Sequence, residues 1–171
     1  ARRNQKAIVG PWVHPASTLS HAGDVDFGKD SVLDLRAVEL SWFDHWLKGV
    51  DNGIDAEAPL KIFVMGTNEW RDESEWPLAR TDYTPFYLGS EGSANSLTGD
   101  GSLSRDAPGD EPADGYAYNP AFPTPTRGGC NCCNAEYVPW GAFDQRPVEY
   151  RGDVLVYTSE PLEEELEVTG P

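Results

Sequence analysis

An α/β segment followed by an all-β segment is the fold class that the sequence predicts. Three features point to it: a short continuous apolar strand, a long amphipathic helix after it, and a change of hydrophobic period from helical to alternating beyond Pro59. The expectation is the last strand and helix of a parallel-sheet layer over residues 1–58, then the opening portion of a β-sandwich or jelly roll over residues 59–171.

The strand is Lys6-Ala7-Ile8-Val9, ended by Gly10-Pro11. Continuous apolar runs of this kind belong to strands buried on both faces of a parallel sheet. A loop with His14 and His21 follows, up to about Asp30. The helix starts at Ser31-Val-Leu-Asp34, which reads as a capping box with Ser31 as N-cap and Asp34 at the third helical position. Leu35, Val38, Trp42 and Trp46 recur at three- and four-residue spacing, and Leu33, Leu40, Phe43 and Leu47 widen the apolar face. Lys48 and Gly49 supply a cation at the negative end of the helix dipole and a left-handed cap. An aromatic stripe at helical spacing is a packing feature, so Trp42, Phe43 and Trp46 are expected in a core.

Residues 50–59 turn polar and serve as the junction between the two parts. Strands are then expected over residues 60–65, 70–76, 83–88 and 154–157, with another beginning at Glu165. In the second of these, Trp70 and Trp76 fall on one face and Arg71, Glu73 and Glu75 on the other. The Gly/Ser/Asp-rich stretch 89–114 reads as a long exposed excursion; its acids do not match a calcium loop.

Composition narrows the function. With 13 Lys and Arg against 29 Asp and Glu, the formal net charge is −16. Phosphate backbones are bound by clustered cations, so no nucleic-acid partner is expected, and anionic lipid is disfavoured for the same reason. The sequence shows no apolar run of membrane-spanning length, and no membrane partner is expected. Because the first residue is Ala and the last ones break off within a β pattern, a piece cut at both ends is expected. The cellular address stays open, with the cytoplasm preferred. The three cysteines stand together as Cys130-Asn-Cys132-Cys133. Zinc sites use two ligand pairs at defined spacing, and no second pair follows; a loop carrying small thiols is expected, with no metal and no cofactor.

Chemistry is sought first at His14, just past the carboxyl end of the first strand. In open α/β sheets the loops at that edge collect ligands and catalytic groups, and an imidazole there serves as general base and acid in acyl transfer. Where a Ser-Asp-His triad is built on such a sheet, histidine comes last in the chain, and no Gly-x-Ser-x-Gly elbow occurs in these residues. One histidine after one strand does not by itself separate a catalytic base from an ordinary loop residue. His21 shares the loop and competes; His45 lies on the helix and reads as a packing residue. Asp24, Asp26 and Asp34 read as capping or dipole-facing carboxylates without a catalytic role.

Read together, several segments resemble the cocaine-esterase and X-Pro dipeptidyl-peptidase family of serine hydrolases. They are Gly10-Pro-Trp-Val-His14, Val25-Asp-Phe-Gly28, Trp42-Phe-Asp-His-Trp-Leu-Lys-Gly49, Ile62-Phe-Val-Met-Gly66, Trp70-Arg71 and Trp76-Pro77. Further along come Tyr118-Asn-Pro120, Pro123-Thr-Pro125, Gly128-Gly129, Asp144-Gln145 and Arg151-Gly-Asp-Val-Leu-Val-Tyr157. Together these segments touch most of the chain, and 89–114 matches least. The resemblance implies the end of an α/β-hydrolase domain followed by part of a jelly roll, with His14 as the triad histidine. The family's serine, aspartate and oxyanion tyrosine have no matching positions here. Two departures stand out: Asn119-Pro120 where Asp-Pro is usual, and the cysteine cluster. The implied substrates are small acyl esters, amides or short X-Pro peptides, and the piece alone would be inert. A stand-alone β-sandwich binding module is the alternative.

Overall fold

The structure, a computed structural model, describes residues 4–14, 16–131, 134 and 136–169. In chain order these form strands β1 (Ala7–Val9), β2 (His21–Ala22) and β3 (Val25–Asp26), helix α1 (Leu35–Lys48), strands β4 (Leu60–Val64), β5 (Glu69–Glu73), β6 (Tyr87–Gly89) and β7 (Ser102–Ser104), and a single-turn helix α2 (Arg146–Glu149). The chain divides into two compact units. Among the described residues, one runs to Arg80 and takes in Gly128–Phe143; the other holds Thr81–Arg127 and residues 144–169. Residues 58 and 59 both lie in the first unit, between α1 and β4.

The first unit is built on a three-stranded sheet in the order β1-β4-β5. β1 runs parallel to β4, with Ala7 opposite Leu60 and Val9 opposite Ile62. β4 and β5 form an antiparallel hairpin that sets Phe63 opposite Trp70. Gly66 (φ 96°) and Asn68 (φ 59°) take the left-handed backbone that turns the chain between them. Leu60, Ile62 and Phe63 are buried, as a strand flanked on both edges should be.

β1 departs from expectation. A strand buried on both faces is expected, yet Val9 is 57 % exposed, because strand side chains project from the sheet faces and among the described residues nothing covers the face that Val9 presents. α1 departs in the same way. Its spacing is helical as predicted, but none of its residues is buried, and Phe43 and Trp46 remain exposed. Its apolar face and β1 border an open groove of about 320 Å³ lined by Ile8, Leu35, Val38, Trp42 and Phe43.

The helix start is corrected too. Asp34, not Ser31, is the N-cap: its carboxylate accepts the amide of Ala37 at 3.1 Å. Ser31 instead closes a short 3-10 turn, Lys29–Ser31, where its hydroxyl donates to the Gly28 carbonyl at 2.7 Å and is wholly buried. The predicted end holds, with Gly49 in the left-handed region at φ 71°. Trp76 lies beyond the end of β5, 46 % exposed, so the expected two-tryptophan face shrinks to Trp70.

In the second unit β6 pairs antiparallel with β7. The predicted strand 154–157 forms no strand of its own but makes isolated bridges, Leu155 to Asn95 and Thr158 to Ser102 at the start of β7. Val156 donates to Ala94, Thr158 to Gly101, and Leu103 to Thr158. No strand begins at Glu165. The stretch 89–114 is not a free excursion: it contributes β7, and Ala94 within it is completely buried. Asp114 fixes it in place. Its carboxylate accepts from the Ala94 amide at 2.9 Å, the Ser90 hydroxyl at 2.7 Å and the Tyr157 hydroxyl at 2.6 Å.

These bonds, the tyrosine's first, hold the Asp114 carboxyl below its ordinary value of 3.8. A carboxyl depressed in the folded state stabilises fully above its unfolded value, and the contribution fades as pH falls through the lowered one. Asp114→Ala is therefore expected to lower the melting temperature by a few degrees at neutral pH, and the gap to wild type should close as pH drops below about 4. A gap that persists unchanged in acid would show that the charge is not what matters there.

Candidate functional site

His14 stands five residues beyond Val9, past the carboxyl end of the parallel β1–β4 pair, and it is exposed. The turn that carries it is shaped by its neighbours. A β-carbon on Gly10 would lie 2.5 Å from the Trp12 ring, so only glycine lets the indole fold back over the strand end. Val13 packs against a small core of Ala22, Phe27 and Phe63, which turns the next side chain outward. The Ala16 amide donates to the Val13 carbonyl at 2.8 Å and closes the turn around His14.

Two indoles fix the rim. Trp12 donates from Nε1 to the Ser31 carbonyl at 2.8 Å, and Trp70 donates from Nε1 to the Asp30 carbonyl at 2.7 Å. Consecutive carbonyls of the 3-10 turn are thus held by tryptophans from two different strand ends. The rings meet each other with centroids 5.5 Å apart, and Trp70 also meets Phe63 edge-on at 5.2 Å. Tilted and edge-on contacts of this kind add to what burial alone provides.

His21 opens the β2–β3 hairpin opposite Asp26 and is exposed. Asp26 accepts the Gly28 amide at 2.9 Å; that bond first, and the Ser20 hydroxyl next, keep its carboxyl below the usual range, with His21 a minor contributor. Asp26 therefore supports the hairpin. His45 hydrogen-bonds the Val50 carbonyl through Nδ1 at 3.0 Å, faces Asp55 at 3.9 Å, and meets Trp46 edge-on, as a helix-end packing residue does. Asp34 is occupied as the helix cap. Asp24 offers its amide to Ala142, and its side chain is exposed.

Segment 128–143 lies along that hairpin. Gly23 bridges Ala142, while Gly129 bridges Gly141. Of the cysteine cluster, Cys130 is a free, exposed thiol, and Cys132 and Cys133 lie outside the described residues. No group of three or more His, Cys, Asp or Glu side chains gathers among the described residues, and no helix there is long and apolar enough to cross a membrane.

Trp70 lies on a strand as expected, but its hydrogen bond to the Asp30 carbonyl has no sign in the sequence, and Ser31, expected as a helix cap, closes the 3-10 turn instead. Which carbonyl the Trp70 N–H meets is fixed by tertiary placement.

Comparison with known proteins places this geometry. Residues 52–171 match the X-Pro dipeptidyl-peptidase C-terminal non-catalytic domain. Cocaine esterase of Rhodococcus sp. (strain MB1 Bresler) is 42 % identical over 169 residues, which cover 96 % of this chain and 29 % of that protein. A Mycobacterium bovis protein, a serine esterase by designation only, is 32 % identical over 177 residues, covering 95 % of this chain and 24 % of its own length. The crystal structure of an aminopeptidase from a marine sediment archaeon superposes with a TM-score of 0.68 at 27 % identity, over 94 % of this chain and 25 % of that one. The chain thus spans less than a third of each of these relatives.

Residues 52–171 are of the class of the family's C-terminal non-catalytic domain, and the mostly-strand architecture with few helices fits a C-terminal β-sandwich. The chain belongs to the cocaine-esterase and X-Pro dipeptidyl-peptidase family. His14 precedes the matched domain but falls within the region aligned to cocaine esterase, which takes in nearly the whole chain.

Proposed function

We propose that these residues belong to a serine acyl-hydrolase in which His14 is the general base and acid. The observation that carries this reading is the exposed imidazole at the carboxyl edge of the parallel β1–β4 pair, on a turn shaped by Gly10, Trp12 and Val13. The open apolar face of α1 supports it: an α/β-hydrolase sheet would cover that face, and residues 1–58 would be its closing strand and helix. The β-rich remainder is then the start of the jelly-roll domain.

In this mechanism a serine encoded outside residues 1–171 attacks the carbonyl of an acyl ester, amide or X-Pro peptide. Nε2 of His14 takes the hydroxyl proton as the new C–O bond forms and returns it to the leaving oxygen or nitrogen as the scissile bond breaks. The imidazole next deprotonates water, which attacks the acyl-enzyme; the serine leaves with the proton and the carboxylic acid is released. Donors outside this chain would hold the oxyanion.

A fluorophosphonate probe tests the reading, since it labels only an activated serine. The full-length protein should be labelled stoichiometrically at one serine outside residues 1–171, and the 171-residue piece should stay unlabelled. Labelling of a serine within the piece, or none in the whole protein, overturns the assignment.

A further inference from the structure

We propose that Trp70, which lies in the stretch matched by the family's non-catalytic domain, is a positioning residue for His14. The inference rests on the base role proposed above and extends it across the domain boundary.

The geometry runs from β5 to the histidine in contiguous steps. Trp70 sits at the carboxyl edge of the β1–β4 pair because the β4–β5 hairpin sets it opposite Phe63, near the end of β4. From there it does two things. Its Nε1–H holds the Asp30 carbonyl, and its ring packs on both Trp12 and Phe63. Trp12 lies two residues before His14 and holds the adjacent carbonyl, Ser31. Val13, immediately before His14, shares the Phe63 cluster with Trp70. Both residues leading into His14 therefore touch the aromatic group that Trp70 completes.

The energetic argument concerns which atoms are constrained. Among the described residues, the His14 turn is closed locally by a backbone hydrogen bond from the Ala16 amide to the Val13 carbonyl. A single such bond contributes about 1 kcal/mol and does not hold an imidazole to the sub-ångström placement that proton transfer requires. The missing constraint comes from the 3-10 turn. Ser31 is wholly buried and tied to Gly28, and the Leu33 amide donates to Ser17 at 2.9 Å, so this turn is a fixed surface against which the two indoles register. Removing the Trp70 N–H leaves the Asp30 carbonyl without its indole donor and frees the Trp12 ring to shift, and with it the start of the His14 turn.

The test uses the full-length protein and two replacements at position 70. Trp70→Phe removes the donor and part of the ring, whereas benzothienylalanine, with sulfur in place of N–H, keeps the bicyclic bulk and removes only the donor. The expected result is a fall in kcat of about tenfold with KM within twofold of wild type. The rate of fluorophosphonate labelling should fall in parallel, because it reports serine activation without substrate binding. A merely structural role would lower melting temperature or raise KM without slowing labelling of the folded fraction. Wild-type kcat and labelling rate in the folded benzothienylalanine protein would overturn the proposal, as would a misfolded analogue protein, since a donor needed for folding itself is not a positioning device. A parallel His14→Ala protein separates the two readings. If it stays active, the base assignment fails. If it is inactive while the Trp70 replacements run normally, only this inference does.

Discussion

Replacing His14 by alanine in the full-length protein is expected to lower ester turnover by about 10⁴–10⁶-fold. The loss is large because a serine hydroxyl at neutral pH is a poor nucleophile until a base accepts its proton, and no other histidine described here stands in that position. His21 lies on the hairpin beside Asp26, and His45 is engaged with Val50 at the end of α1. The substitution should cost little stability, since His14 is exposed and its truncation removes little buried surface. His21→Ala is the matched control, sharing the loop and the exposure but not the position past the strand end. Steady-state kinetics with a chromogenic ester, together with a melting curve for each protein, decide the matter. Turnover near wild type in His14→Ala, or a comparable loss in His21→Ala, would remove His14 from the mechanism.

How far the sequence could be read depended on whether the deciding interaction was local. The left-handed cap at Gly49, the β4 strand and the position of His14 past β1 all depend on a few adjacent residues, and all were legible. Ser31 and Asp34 show the first kind of failure. Each is a good cap by residue type, and the choice between them rested on whether the Ser31 hydroxyl met Gly28 or the helix. The second kind is non-local: Asp114 lies in a stretch whose composition reads as solvated loop, yet it joins Ser90, Ala94 and Tyr157. Such a partnership leaves no periodic trace. A third kind concerns burial. Apolar spacing on α1 and β1 identifies faces meant to be covered, but exposure is set by what packs on them, and within this chain those faces stay open.

Gly141→Ala is the second substitution expected to do serious damage, for a reason that spacing also could not reveal. Gly141 has φ 107°, and a β-carbon built on it would lie 2.2 Å from the Gly23 nitrogen and 2.4 Å from the Ala22 carbonyl carbon. The clash is with backbone on both counts, so no side chain can swing aside to relieve it. Nor can the hairpin retreat easily, because a β-carbon on Gly23 would in turn meet the Ala142 carbonyl oxygen at 2.4 Å. Segment 128–143 and the β2–β3 hairpin thus approach at a distance that only glycine on both sides allows. Gly66 separates the two contributions. Its φ is 96°, but nothing lies within 4 Å of its added β-carbon, so Gly66→Ala should incur only the left-handed strain of about 1–2 kcal/mol. Gly141→Ala should cost about 3 kcal/mol or more, because the hydrogen bonds between the segments must also break. Hydrogen exchange locates the effect: the Asp24 and Ala142 amides, which join the two segments at 2.9 and 3.1 Å, should exchange faster in Gly141→Ala and keep their wild-type rates in Gly66→Ala. Equal protection in both variants would mean that the close approach of Gly141 and Gly23 is not what holds the segment to the hairpin.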